Sequence, residues 1–90
     1  MAYRVEFTPA ARRDFEALPR EAQARIRPRI DALADNPRPA GSKRIRGYSN
    51  RYRIRVGVHR VVYDVKDDLL LVLVLRIGHR STVYRRVDTL

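Results

Sequence analysis

From Arg51 to Val56 the chain reads Arg-Tyr-Arg-Ile-Arg-Val, cation and apolar group in turn. A side-chain period of two belongs to a β-strand. It sends Tyr52, Ile54 and Val56 to a core and Arg53 and Arg55 together to the other face. The surrounding window from Asn36 to Tyr63 holds no acidic residue, yet it carries Arg38, Lys43, Arg44, Arg46, Arg51, Arg53, Arg55 and Arg60. A sheet face that serves structure alone pairs opposite charges across strands, because facing like charges destabilise it. A field of fixed guanidinium groups attracts phosphate, so phosphate chemistry is the first function to consider.

Composition narrows the class. Ninety residues, 44% of them hydrophobic, make one domain (1–90) with a small core rather than a disordered basic tail. Twenty Lys and Arg against ten Asp and Glu give a net charge of +10, and only Lys43 and Lys66 are lysine. A GC-rich coding genome accounts for choosing Arg over Lys, but not for the excess or its concentration. Arg forks bind phosphate with two parallel hydrogen bonds and stack on bases. With no cysteine there is neither a disulfide framework nor a thiolate metal site, which fits a reducing cytoplasm. The first residues alternate like a strand and lack a signal-peptide core, and the longest apolar run, Leu69 to Leu75, is too short for a bilayer. No membrane role is expected.

The coarse order of elements follows from periodicity. Tyr3, Val5 and Phe7 alternate with Arg4 and Glu6 as a half-buried first strand. Thr8-Pro9 opens a helix, with Thr8 as N-cap and Pro9 in the first helical position. Ala11, Phe15 and Leu18 form its apolar stripe, and Pro19 ends it. Ala22, Ile26, Ile30 and Leu33 continue the period through Pro28, which predicts one kinked helix. Asn36 to Gly41 is a loop, Arg44-Ile45-Arg46 a short edge strand and Gly47 to Asn50 a turn. Gly57-Val58 suits a type II′ hairpin turn between Arg51–Val56 and His59–Val65. Leu69 to Ile77 is a central strand that Gly78 breaks, and Arg80 to Arg86 is a short tail helix. The sum is an α+β fold: an N-terminal strand and a two-helix hairpin packed on a twisted, mainly antiparallel four-stranded sheet, with a C-terminal tail helix.

Chemistry is expected where basic segments meet. Arg53 and Arg55 share a face, Arg60 returns beside them after the hairpin, and Gly78-His79-Arg80 ends the central strand. Tyr84 lies one helical turn past Arg80. His79, flanked by Arg80, has two readings of equal weight: an acid–base group, or a cap for the strand end. His59 stands beside the turn as a surface residue. The two histidines and scattered carboxylates lack metal-ligand spacing, no Gly-rich phosphate loop is present, and no cofactor is expected.

Taken in order, Tyr3-Arg4-Val5-Glu6-Phe7, Asp35-Asn36-Pro37, Tyr52 to Gly57, Arg60-Val61-Val62-Tyr63 and Ile77 to Arg80 with Val83-Tyr84 resemble the RelE/ParE toxin superfamily, RelE branch, over nearly the whole chain. Each motif is weak alone, while the ordered set is specific. The resemblance implies a RelE-like fold and the toxin of a type II toxin–antitoxin module, a metal-independent mRNA interferase that cuts mRNA in the ribosomal A site. It implies catalytic roles at Arg53, Arg55, Arg60, Arg80 and Tyr84, with His79 in reserve. Lys43, Arg44, Arg46, Arg51, Arg12 and Arg25 would contact RNA or the ribosome, while solubility is the simplest role of the other helix arginines. Its implied partners are the ribosome with its mRNA, an acidic antitoxin encoded next door, and operator DNA through the toxin–antitoxin complex. One departure matters: the two strand positions are Lys in well-known RelE proteins and Arg53 and Arg55 here, and arginine cannot serve as a base. A ParE-like gyrase inhibitor and a non-catalytic RNA-binding module are the alternatives; few exposed aromatics count mildly against the latter.

Overall fold

One hydroxyl ends the first strand and starts the first helix. Thr8 Oγ1 accepts the Ala11 N–H at 3.0 Å and donates to the Leu75 carbonyl at 2.9 Å. In the computed structural model, which describes residues 2–83, strand β1 (Arg4–Phe7) precedes this cap and helix α1 (Pro9–Glu16) follows it. Helix α2 (Arg20–Asp31) runs through Pro28 as a single helix and tightens into a 3-10 turn at Ala32–Ala34. The stripe residues Ala11, Ile26, Ile30 and Leu33 are all buried, as their spacing requires. Each fully buried Ile or Leu contributes about 1.5–3 kcal/mol from the removal of apolar surface from water.

Four strands complete the sheet: β2 (Lys43–Arg44), β3 (Arg51–Val56), β4 (His59–Lys66) and β5 (Leu71–His79). The spatial order is β1-β5-β4-β3-β2, with β1 parallel to β5 and every other pair antiparallel. The sheet is therefore five-stranded and mixed, where the sequence pattern predicted four. The short edge strand expected at Arg44 to Arg46 joins the sheet as β2 at Lys43–Arg44; Ile45 only extends the edge by donating to the Arg51 carbonyl at 2.8 Å. Gly57 has φ +62°, as the first central residue of a II′ turn needs, and Val56 pairs with His59 across it. Both helices cover one face, where Ile54, Val61, Tyr63, Val65, Val72, Val74 and Ile77 close the core.

Strand β5 departs from expectation at both ends. It begins at Leu71, because Asp67–Leu69 forms a 3-10 turn and Leu70 takes a left-handed φ of 48°, leaving Leu69 and Leu70 exposed. Gly78 does not break it; the strand continues to His79, and Gly78 lies opposite Arg60. The cause is a bulge near Leu75, where the β4–β5 register slips between Val62 and Tyr63. Before the slip Val72 and Val74 face the helices, and after it Ile77 does, so the alternation changes phase. Asp14 of α1 fixes the bulge: it takes Arg76 at 2.8 and 3.1 Å and accepts the Ile77 N–H at 3.0 Å. Beyond the strand, Arg80–Thr82 forms a turn and Val83 is buried; the remainder of the expected tail helix lies outside the described residues.

The loop after α2 is bound to the sheet through aromatic and charged groups. Tyr63 donates to the Pro37 carbonyl at 2.8 Å and stacks near Tyr52. Arg38 donates to Tyr52 Oη at 2.9 Å and forks onto Asp67 at 2.7 and 3.2 Å. Asp67 also accepts from Tyr3 Oη. The bonds from Arg38 first, then from Tyr3, hold the Asp67 carboxyl below its ordinary range. No helix among the described residues is long and apolar enough to cross a membrane.

Two outcomes test this framework. Asp14→Ala leaves the Ile77 N–H and a largely buried Arg76 without their partner, and should cost roughly 2–4 kcal/mol in urea unfolding. Burial pushes the Tyr63 phenol up to about 12 from an ordinary value of 10.0. A raised folded pKa means that its stabilisation is complete below pH 10 and drains away as pH rises through about 12. Tyr63→Phe should cost about 1–2 kcal/mol at neutral pH, and the gap between the two proteins should narrow in unfolding curves above pH 10.

Candidate functional site

The sheet face turned away from the helices is built by the odd positions of β3 and the even positions of β4. Register puts Lys43 beside Arg53 and Arg55 beside Arg60. Both are like-charge pairs, with facing Cα atoms about 4.5–5.5 Å apart. Arg53 and Arg55 stand about 6.6–6.8 Å apart along β3. At one end of the face the pattern changes: Arg51 opposes Asp64 and forks onto it at 2.8 and 3.2 Å. Lys43, Arg53, Arg55 and Arg60 thus gather on one stretch of the face.

Beside these cations lies a small apolar patch. Val62, Leu75 and Val83 form a buried cluster, with Ile45 and Leu73 packed against it. Val83 reaches it because the chain reverses after β5, where the Arg80 N–H donates to the Val58 carbonyl and the Thr82 N–H to the His79 carbonyl, both at 3.0 Å. Val62 pairs with Arg53 across the strands, so the patch borders that cation. One nitrogen of the Arg53 guanidinium, Nη1, is buried and has no hydrogen-bond partner among the described residues. An orphaned buried donor costs free energy, and an anion would relieve it. The bulge contributes as well: Gly78 rather than a side chain lies opposite Arg60.

The expected site residues divide by location. Arg53, Arg55, Arg60 and Lys43 come together, and Arg80 starts the exposed turn at the end of β5. His79 pairs with His59 across the strands; its Nδ1 accepts the Ser81 N–H at 3.2 Å and meets Ser81 Oγ at 2.8 Å, which is strand-end capping. Its Nε2 is the nitrogen left for proton transfer. Arg44 pairs with Tyr52 at the edge and Arg46 is in the β2–β3 turn. Arg51 is largely buried against Asp64, whose hydrogen bonds raise its pKa. Arg12 and Arg25 are remote from this face: Arg12 lines a groove of about 610 Å³ between β1 and the helices, and Arg25 lies near Gly57. Tyr84 lies outside the described residues.

Sequence reasoning missed Asp14, Asp64 and Tyr48. Asp14 meets a partner 62 residues away, which no local pattern announces. Asp64 was within reach, since a two-residue hairpin turn fixes Arg51 opposite Asp64 by counting. Tyr48 stacks under the Arg51 guanidinium, 4.2 Å from its ring centroid, and is 39% exposed.

The like-charge pairing has a measurable cost. Arg55→Gln should stabilise the free protein by about 0.2–1 kcal/mol at low salt, an effect that fades as salt is added. The same change should weaken binding to single-stranded RNA and flatten its salt dependence by about one unit of slope.

Comparison with known proteins finds relatives of this chain and of its fold. The family model for the ParE toxin of type II toxin–antitoxin system, parDE, matches residues 5–84. The chain is similar to Toxin RelG of Mycobacterium tuberculosis, with 34% identity over 87 residues, 96% of this chain and 100% of that protein. It is similar to the mRNA interferase toxin RelE of Escherichia coli K12, with 28% identity over 88 residues, 93% of this chain and 92% of that one. Its fold matches a chain of the toxin–antitoxin complex RelBE2 from Mycobacterium tuberculosis at a TM-score of 0.77 and 30% identity, covering 89% of this chain and 100% of that chain.

Proposed function

The chain belongs to the RelE/ParE family of type II toxins, and on that premise we propose that it is a ribosome-dependent mRNA endonuclease that halts translation. The observation that carries the reading is the open sheet face, where Arg53, Arg55 and Arg60 share one side and Arg53 keeps a buried donor with no acceptor among the described residues. An mRNA interferase activity is named for the Escherichia coli relative.

In the proposed reaction an RNA 2′-OH attacks the adjacent phosphorus while the P–O5′ bond breaks, giving a 2′,3′-cyclic phosphate and a 5′-hydroxyl. The 2′ proton passes to a base, and the leaving 5′ oxygen takes up a proton. Negative charge grows on the phosphoryl oxygens, and fixed guanidinium groups stabilise that state more than the ground state. Arg60 and Arg80 take this role; Arg53 and Arg55 hold flanking phosphates, and one of them helps neutralise the leaving group. Since arginine does not give up its proton, the base is sought in Tyr84, with His79 Nε2 in reserve. The ribosome shapes the substrate, so cleavage of free RNA is expected to be weak. The setting is the bacterial or archaeal cytoplasm.

The proposed protein partner is an acidic antitoxin. A net charge of +10 attracts such a chain, and the groove lined by Val5, Phe7 and Phe15 offers it apolar contacts. The toxin–antitoxin complex would in turn bind operator DNA.

Because the matching family model carries the ParE name, a gyrase inhibitor is the second reading. Brief induction followed by primer extension on a translated mRNA separates the two. Codon-phased cuts should appear with wild type and fall about a hundredfold or more with Arg80→Ala, and Tyr84→Phe should also lose them if Tyr84 is the base. DNA breaks with intact mRNA would establish the gyrase reading instead, and a fully toxic Arg80→Ala protein would remove Arg80 from the site.

A further inference from the structure

We propose that the pocket formed by Tyr48, Ser49, Asn50, Arg51, Asp64 and Lys66 holds a nucleobase of the bound RNA, next to the phosphate gripped at Arg53. This deepens the nuclease reading and rests on it. The pocket has a volume of about 230 Å³, below the roughly 300–1,000 Å³ of drug-sized sites and on the scale of a flat ring.

Arg51 is two residues before Arg53 on β3, and Asp64 and Lys66 continue the β4 positions that hold Arg60 and Val62. The pocket therefore lies on the same sheet face as the cations, about 6.6–6.8 Å along the strand from Arg53. A strand of RNA with a phosphate at Arg53 brings its neighbouring base to this place.

The Arg51 guanidinium is held flat by two bonds to Asp64, with both side chains about four-fifths buried, and Tyr48 stacks against it at 4.2 Å. The turn is pinned by Tyr48 N–H to Ile45 O at 3.2 Å, Ile45 N–H to Arg51 O at 2.8 Å and Val65 N–H to Asn50 O at 2.9 Å. The platform is thus rigid before any ligand arrives. Aromatic rings and guanidinium planes are the surfaces on which unpaired RNA bases stack. Ser49 and Asn50 are exposed and line the pocket, and the Asn amide carries both a donor and an acceptor for a base edge. Lys66 offers a charge for a phosphate.

Asp64 cancels Arg51 inside the pocket and sets a carboxylate in its wall, which repels an acidic protein segment, while Lys66 is left for a phosphate.

The test uses the purified full-length protein and short single-stranded RNAs carrying one photoreactive 4-thiouridine. Affinity is measured for wild type, Tyr48→Ala, Tyr48→Phe and Asn50→Ala, with Arg53→Ala as the control for phosphate binding. The expected result is a crosslink mapped to Tyr48, a loss of about five- to a hundredfold for Tyr48→Ala, rescue by Tyr48→Phe, and altered base preference for Asn50→Ala. Asn50→Ala keeps the question open to disproof should Tyr48→Ala fail to fold. Wild-type affinity and base preference in the Tyr48 and Asn50 variants, with crosslinks elsewhere, would overturn the proposal, as would Tyr48→Ala losing an acidic protein partner while keeping RNA. A Tyr48 crosslink in a protein that cuts no translated mRNA would remove the nuclease reading and leave the base site standing.

Discussion

The Asp14 carboxylate holds an irregularity on which the open sheet face depends. It gathers Arg76 and the Ile77 N–H at the bulge in β5, where a regular ladder would leave neither in place. Because of that extra residue, Ile77 turns into the core and Gly78 falls opposite Arg60. A regular β5 would send Ile77 to the cationic face instead. The alignment of a helix residue with a strand residue 62 positions later therefore decides what surrounds Arg60.

The face itself trades stability for affinity. Lys43 with Arg53, and Arg55 with Arg60, oppose each other in register, and each such pair works against the fold. The helix-side core supplies the compensating term, with Ile26, Ile30, Leu33 and Tyr63 fully enclosed. Asp64 and Asp67 relieve Arg51 and Arg38, whereas Arg53 keeps a buried donor with no acceptor among the described residues. Charge unbalanced over only part of a sheet is the arrangement expected of a binding surface, where local strain is retained because it serves function.

Much of this was legible in the residues. Thr8-Pro9 announced its helix, the helix stripes face the core as spaced, with Ala11, Ile26, Ile30 and Leu33 buried and Phe15, Leu18 and Ala22 partly so, and alternation in Arg51–Val56 assigned each side chain to its face. What escaped is what depends on distant partners. The bounds of β2 shift because two residues carry no period, the change of phase in β5 is invisible in an unbroken apolar run, and Leu69 and Leu70 look like strand until the Asp67-Asp68 turn reaches over them. At the site, like charges hinted at Arg53, Arg55 and Arg60 meeting, whereas Tyr48 was hidden by sitting in a turn, where an aromatic has no periodicity to betray it.

The brevity of β2 has a consequence for how such a protein persists in a crowded cell. A sheet whose last strand is two residues long, both of them cationic, presents almost no ladder on which another copy could extend it. Edge-to-edge polymerisation on that flank would stack Lys43 and Arg44 against their own kind. The chain can therefore carry an exposed, charge-strained surface at its centre without that border becoming a seed for fibrils.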